Sequence, residues 1–570
     1  MRSHVRTVSW LSIASPIVAL GLLTVGCGFS ARSRSVSQGP GTGGSDPGSP
    51  GGFGGAAGRG SSPGLTGGSS ADAGAPAPTL SDFPATPIVD PSAPPNAAAL
   101  FDGSPPRSDG APCVTAPIAG TLMPRNWLRP RFELSAAAGE NLFEIDLSVS
   151  GFAHTLRIFT ASPSYALDAA TWNGLRGSVT DRTISVTIRA LTLGSGGAVQ
   201  LAPSAPATSS FVIAPVEAPG KIVYWALADD MGTKVGSLKG FGIGEESVEN
   251  VLVPSQVQTR ASNDTCIGCH AATPDGNSVG FTMGPQNYFN QLANVTAGAV
   301  GATPSYATPA ALATMQTLHG IPTYSRSHWS DGDRVALLSD TGTLHWVEVD
   351  GSTSGTLART GDAGKATEPS FSHDGKNVVY ASATAITDGR LDTGPADLFA
   401  VPYQNRAGGT AKPLPGAADA NFTEYYPAFS PDDAFVAFTR VPGSESAYSN
   451  PHAEVYLVPF NGGAGGTALR LQANDAAACQ LTTVSPGLTN DWPKWSPQAA
   501  TANGKTYYWL TFSSKRTGSG NAQLYITGVV VDANGQVTTT PALYLWNQPS
   551  SDGNHTPSWD DFAIPSINLG

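Results

Sequence analysis

Glu368-Pro-Ser-Phe-Ser-His-Asp-Gly-Lys-Asn-Val-Val-Tyr380 and Tyr426-Pro-Ala-Phe-Ser-Pro-Asp-Asp-Ala-Phe-Val-Ala-Phe438 are two copies of one unit. Each opens on a short aromatic, proline-containing strand. A Ser-x-Asp turn follows, and then a strand of β-branched and aromatic residues. Weaker copies run from Ser327 to Leu337, from Trp492 to Pro497 (with Tyr507 to Arg516 after it), and from His555 to Phe562. The earliest is Ala272-Thr-Pro-Asp-Gly-Asn-Ser-Val-Gly-Phe281. A third strand recurs downstream of the unit at Leu344–Val349, Ala396–Val401, Ala453–Val458 and Ala522–Ile526. Strands repeated every ~40–65 residues are the pattern of propeller blades. The turn aspartates Asp275, Asp331, Asp374, Asp432 and Asp560 are expected to cap turns by accepting backbone amides.

Outward from the repeat, the count of copies predicts six blades. The sixth starts only at His555, in a chain of 570 residues, so its outer strands must come from elsewhere. Ile222-Val-Tyr-Trp-Ala-Leu227 and Leu238-Lys-Gly-Phe-Gly-Ile243 precede the first copy and are spare. They are expected to complete the last blade, closing the ring and leaving no open sheet edge. The Pro-x-[Phe/Trp]-Ser-x-Asp-Gly unit resembles the repeat of the TolB-type, WD40-like propellers. That resemblance covers about Gly220 to Gly570, and it implies a scaffold that binds partner proteins at the mouth of the central channel.

Before the repeat, Phe132–Leu134, Phe143–Leu147, Thr155–Ile158 and Ile184–Ile188 alternate apolar and polar residues, with turn residues between them. They read as a small antiparallel sandwich of immunoglobulin or fibronectin type, with Trp127 and Trp172 in its core. The fold class expected is therefore all-β, a six-bladed β-propeller (219–570) preceded by an immunoglobulin/fibronectin-like β-sandwich (111–218). Residues 28–110, rich in Gly, Ser, Pro and Ala, read as a tether without a core.

The N-terminus carries Arg2, His4 and Arg6, then an apolar stretch to Val25 and Gly26-Cys27. Residues 1–27 read as a signal peptide ending in a lipobox-like cysteine, Cys27. The chain is then an exported lipoprotein of the outer membrane, facing the periplasm or the cell surface, with the lipid as its only membrane contact. A net charge of −12 argues against nucleic acid.

Cys266-Ile267-Gly268-Cys269-His270 carries the chemistry of the sequence. C-x-x-C-H is the attachment signature of c-type haem: two thiols add to the vinyl groups, and the histidine takes the iron. The expectation is one covalent haem c on Cys266 and Cys269, with His270 as proximal ligand. A disulfide, plain thiols or a metal site at these cysteines stay open as alternatives. The other side of the iron has three candidates, His555, His328 and Met283, and a five-coordinate iron is also open. His555 stands five residues before Asp560, as His270 stands five before Asp275, so superposed repeats would make the two equivalent. Cys113 and Cys479 form an even pair in an oxidising compartment, either bridged or as separate thiols.

Three functions follow. The first is electron transfer or redox sensing by a monomer that meets a redox partner or envelope protein. The second is a non-redox protein-binding scaffold, and the third a haem oxidase or peroxidase. No nucleophile-elbow context marks a hydrolase, and no catalytic residue outside the haem motif is singled out.

Overall fold

The computed structural model describes residues 80–562 apart from 104, 231–232, 255–265, 284–291, 297–307, 316, 319–321, 386–393 and 444. Residues 1–27, read above as a signal peptide ending at Cys27, lie outside the described residues. Among the described residues six sheets from Lys221 on form the blades, and a parallel pair, Ala358–Thr360 with Gly408–Thr410, joins blade two to blade three. Blade one holds Ile267–Ala272, Ser278–Met283 and Leu292–Thr296, and blade two holds Val335–Asp340, Thr343–Glu348 and Ser354–Thr356. Blade three is Lys365–Phe371, Asn377–Ala383, Ala396–Pro402 and Lys412–Pro413. Blade four is Phe422–Phe429, Phe435–Pro442, Glu454–Pro459 and Leu469–Arg470. Blade five is built on Asp491–Trp495, Lys505–Ser514 and Gln523–Val531.

Blade six joins the two ends of the propeller. Its inner strand, Gly553–Asp560, pairs antiparallel with Lys221–Asp230, placing Ile222 opposite Trp559 and Trp225 opposite His555. Lys221–Asp230 then pairs with Thr233–Gly242, and that strand with Glu249–Leu252. The spare strands of the sequence close the ring. Trp559 is buried in one core with Ile222 and Tyr224, and its Nε1 donates to the Pro219 carbonyl at 2.8 Å.

The repeat turn has a definite construction. In blades one, three and four a hydroxyl (Thr273, Ser372, Ser430) donates to the aspartate two residues on (Asp275, Asp374, Asp432) at 2.6–2.8 Å. The same hydroxyl accepts the amide five residues on, from Ser278, Asn377 and Phe435. Each aspartate also accepts the amide two residues beyond it, so Ser-x-Asp satisfies the turn from within. Blade two departs from this. Arg326–Ser330 is a helical turn capped by Ser325, Asp331 is its C-cap, and the inner strand shrinks to a bridge between Thr323 and Leu337. Asp560 ends the inner strand of blade six and accepts from Ser558 Oγ at 3.0 Å.

The N-terminal unit is a sandwich of a larger sheet and a three-stranded one, Cys113–Ala116, Arg131–Ser135 and Ser164–Ala166. Trp127 and Trp172 are buried in its core, and Trp172 Nε1 donates to the Trp127 carbonyl. Three features depart from the sequence reading. Trp172 lies on a helix, Ala169–Ser178, capped by Asp168. Ile88–Val89 and Thr121–Met123 add parallel edges to the larger sheet. Residues expected as tether are packed from Leu80 onward: the helix Ala97–Asp102 buries Ala97 and Phe101 against Leu142, Phe159 and Leu191. The apolar residues of 80–101, Phe83, Ile88, Leu100 and Phe101 among them, give this part of the tether enough apolar surface to dock.

Sandwich and propeller share one hydrophobic core. Phe211 and Ile213 belong to the same cluster as Trp509, Leu524 and Ile526 of blade five. A disulfide joins Cys113 to Cys479 across the units. Arg129 pairs with Glu246 at 2.5 Å, and Trp546 Nε1 donates to the Arg129 carbonyl.

Candidate functional site at the channel

The inner strands converge on a cavity of about 170 Å³ to which every blade contributes. One backbone device recurs around it. Glu368, Tyr426, Trp492 and Thr556 each have φ between 43° and 57° and each precedes a proline. The ladder slips by one residue at each of these places. A left-handed non-glycine residue before proline is strained, and in these strands it forms a bulge. The residues just past the prolines, Ser370, Ala428, Lys494 and Ser558, all line the cavity.

Blade one carries the C-x-x-C-H motif at this same place. Counted back from its turn, His270 stands where the other blades have proline, and Cys269 where they have the left-handed residue. The ladder slips between Ile267 and His270, one step from its place elsewhere. His270 lines the cavity and is 7% exposed. Its Nε2 lies 3.2 Å from the Val223 carbonyl, so Nε2 carries the proton and donates, while Nδ1 is buried without a hydrogen-bond partner. Burial holds its pKa down to about 4, so the imidazole is neutral at ordinary pH.

Cys266 and Cys269 are both buried. Cys266 bridges to Gly236 of blade six, where a Cβ would fall 2.6 Å from Cys266 Sγ and 2.5 Å from Trp225 Nε1. Only glycine fits that contact. In kind, the donor set fits a c-type haem: a thiol just before the strand, a second thiol and a neutral imidazole on it, the imidazole with an orphaned nitrogen. Its present contacts are different, since Nε2 is held by Val223 and Cys266 is packed in the core.

The histidines named as distal candidates have partners of their own, and the Met283 side chain lies outside the described residues. His328 is held on both ring nitrogens, by the Gly375 carbonyl at 2.8 Å and Asp333 at 3.1 Å, with Tyr403 against its ring. His555 is buried, 3.6 Å from Asp491 and edge-on to Trp492. By the bulge count His555 falls two residues before the position of His270, which corrects the equivalence expected from spacing to the aspartates. The two histidines meet the same strand of blade six, His270 at Val223 and His555 opposite Trp225. Met283 pairs with Ile267 in the ladder. Among the described residues no three His, Cys, Asp or Glu side chains form a metal-binding group.

Apart from Asp560, read from the sequence as a turn aspartate, the charged groups of the cavity escaped sequence reading. Burial lowers the pKa of Lys494, against the opposing charges of Glu368, Asp560 and Cys269. Burial also pushes Asp560 up to about 6. Arg326 pairs with Asp561 at 2.9 Å, linking blade two to blade six past blade one. His373 and the amides of His373 and Asp374 converge on Asp433. Lys494 lies at a variable place in the repeat, and only the common bulge shows that it faces the channel.

No family model matches the chain, and no curated protein matches it in sequence. Among solved structures it is similar to TolB from Acinetobacter baumannii, at 14% identity over 66% of this chain and 79% of that one, with a TM-score of 0.34. It is also similar to hydrazine synthase of Kuenenia stuttgartiensis (12% identity, 53% and 91% covered, TM-score 0.27). A chain of a mitotic checkpoint complex matches at 12% identity, with 54% and 74% covered and a TM-score of 0.29. These overlays are loose, and the propeller assignment rests on the strand pairing itself.

Proposed function

We propose that this chain is an exported, lipid-anchored propeller that docks an envelope protein at its channel mouth. The observation that carries the reading is the cavity to which all six blades contribute, with the Lys494 amine set among Glu368 and Asp560. Its ~170 Å³ is below the roughly 300–1,000 Å³ of small-molecule sites. It is the right size for one side chain or chain end of a larger partner, with Arg326 and His373 among its lining residues. A photo-crosslinking residue in place of Arg326, compared with one at the exposed turn residue Asn534, tests this in cells. The expected result is a discrete adduct from the mouth alone, lost on Lys494→Glu. Equal labelling from both positions, or none from the mouth, refutes it.

A second reading is favoured by the place of His270, contiguous with Cys266 and Cys269 and lining the same cavity. On this reading Cys266 and Cys269 hold a covalent haem and His270 is its protein ligand. The group would supply one-electron exchange at the docking mouth. His270 would give up its bond to Val223, and the buried surroundings would exclude water. A pyridine haemochrome spectrum of protein exported in a host competent for haem attachment, beside Cys266→Ser/Cys269→Ser, decides it. Absence of covalent haem removes this reading and leaves docking standing. If haem is present, carbon monoxide binding separates an open iron from a six-coordinate carrier.

A further inference from the structure

A second cavity lies between sandwich and propeller, near the Cys113–Cys479 disulfide and the outer strands of blade five. It measures about 410 Å³ and is walled by Arg131 and Glu133 of the sandwich and by Arg516, Tyr525, Tyr544 and Trp546 of the propeller. That volume is within the range of small-molecule sites.

Its charge is unbalanced. Arg131 and Glu133 pair with each other at 2.7 Å. Arg516 is 9% exposed, and among the described residues it makes no ion pair within 4 Å. Asp475, whose charge acts on Arg516, offers it only its carbonyl, while its carboxylate is bonded to Arg470 at 2.7 Å. The guanidinium donates from Nε to Ser514, from Nη1 to Asp475, and from Nη2 to Ala473 and Asn490. Of its five N–H groups, one on Nη1 is left over. The ring faces of Tyr525, at 4.6 Å, and Phe512, at 5.5 Å, help to hold the buried charge. A buried cation with no ion pair of its own, at a cavity wall, is a place for an anion.

The rest of the wall selects the body of the ligand. Tyr525 and Tyr544 stand 5.3 Å apart at 44° and form an aromatic floor. Gln480 also lines the cavity, and its side-chain amide makes no hydrogen bond within the described chain, leaving two donors and an acceptor for a ligand. The paired Arg131 and Glu133 add further donors and acceptors. An apolar ring would leave these groups unsatisfied. A sugar ring offers C–H bonds to the aromatic floor and hydroxyls to the edge.

We propose that this interdomain pocket binds a carboxylated sugar, a uronic acid either free or at the end of a glycan, with its carboxylate on Arg516, its ring against Tyr544 and its hydroxyls on Gln480. Titration calorimetry of the folded chain with glucuronate, galacturonate, a short oligouronate, glucose and benzoate tests it. Uronates are expected to bind at least about tenfold tighter than glucose, with benzoate failing to compete and added salt weakening the complex. The oligomer separates a glycan end from a free sugar by whether it binds tighter or not at all. Tyr544→Ala should weaken uronate binding by roughly tenfold, as expected for loss of a ring contact, and Gln480→Ala by several-fold. Arg516→Gln should abolish the preference for uronate over glucose. Because Arg516 also ties down Ala473, Asp475 and Asn490, the Tyr544 and Gln480 variants decide the matter if that protein unfolds. Lack of uronate binding at about 10 mM, or binding unchanged by both Tyr544→Ala and Gln480→Ala, overturns the proposal.

Discussion

Closure of the ring can be tested at one pair of side chains. Ile222 and Trp559 come from opposite ends of the propeller and are ladder partners in blade six, 0% and 2% exposed. Truncating a buried isoleucine costs about 2–5 kcal/mol and a buried tryptophan about 3–5 kcal/mol. Trp559 also gives up its bond to the Pro219 carbonyl, which places its loss toward the upper end. Because the two residues share one packing site, their losses should not add. The double variant Ile222→Ala/Trp559→Ala should depart from the sum of the singles by about 0.5–3 kcal/mol. The assay is urea unfolding of wild type, both singles and the double, followed by tryptophan fluorescence and circular dichroism to confirm a common transition. In an open propeller the two positions would be distant, and their effects would add within about 0.5 kcal/mol. Additivity with full single-variant losses therefore refutes the seam, even though both residues would still be shown to be buried.

Two further outcomes follow from the same structure. The Cys113–Cys479 disulfide closes a loop with a sequence separation of 366, for which the chain-entropy relation gives a stabilisation of about 6 kcal/mol, against a usual range of roughly 2–5. Cys113→Ser/Cys479→Ser should lower the guanidinium midpoint by a corresponding amount and become insensitive to reductant, while an unchanged midpoint would mean the bridge does not constrain the unfolded chain. Glu424 is buried beside Arg440, and burial pushes its carboxyl up to about 8 despite that partner. Against an unfolded value of about 4.3, the folded state holds this proton longer, so the contribution is complete below about pH 4 and is lost as pH rises through 8. Asp146 and Asp560, raised to about 6, act in the same direction but level off sooner. Thermal melts between about pH 7 and 9 should therefore decline in wild type and flatten in Glu424→Gln; parallel curves would show that Glu424 does not titrate there.

The blades were legible because their turns are made by local chemistry. A hydroxyl and an aspartate two residues apart satisfy the turn without help from the rest of the chain, as at Ser372 and Asp374. The closing strands were legible because Ile222–Leu227 and Leu238–Ile243 had no blade of their own. Where tertiary packing decides, the sequence says less. Arg326–Ser330 carries the repeat's letters yet folds as a helical turn, tied to blade three by Ser327 and His328. Residues 80–102 look like the end of a flexible stretch, but a few apolar side chains find a ready surface on the sandwich. In the channel, spacing to the aspartate misplaced His555 because a bulge adds a residue that counting along the sequence does not reveal.

That bulge also determines where the channel gets its specificity. Four blades hold a left-handed residue before proline, a conformation that costs of order 1–3 kcal/mol at each site. The strain is tolerated at equivalent places around the axis, and what the four places share is the residue they turn toward the cavity. Three of those residues are small, Ser370, Ala428 and Ser558, and blade one offers Ala271 at the same count. Small side chains leave the cavity open and carry no charge. Lys494 is the exception, and its amine lies where burial and the acids of blades three and six act on it together. A partner entering the channel would therefore meet small side chains at these places, with Lys494 under the opposing charges of Glu368 and Asp560 and with Arg326 and His373 also in the lining. Recognition by such a wall depends on replacing those acids at the amine, so a partner group should carry negative charge or accept hydrogen bonds. Blade one differs at the adjoining positions, having exchanged the strained residue and its proline for Cys269 and His270. The chemistry of the C-x-x-C-H motif is thus set into an inner strand that lacks the common device, beside the same cavity.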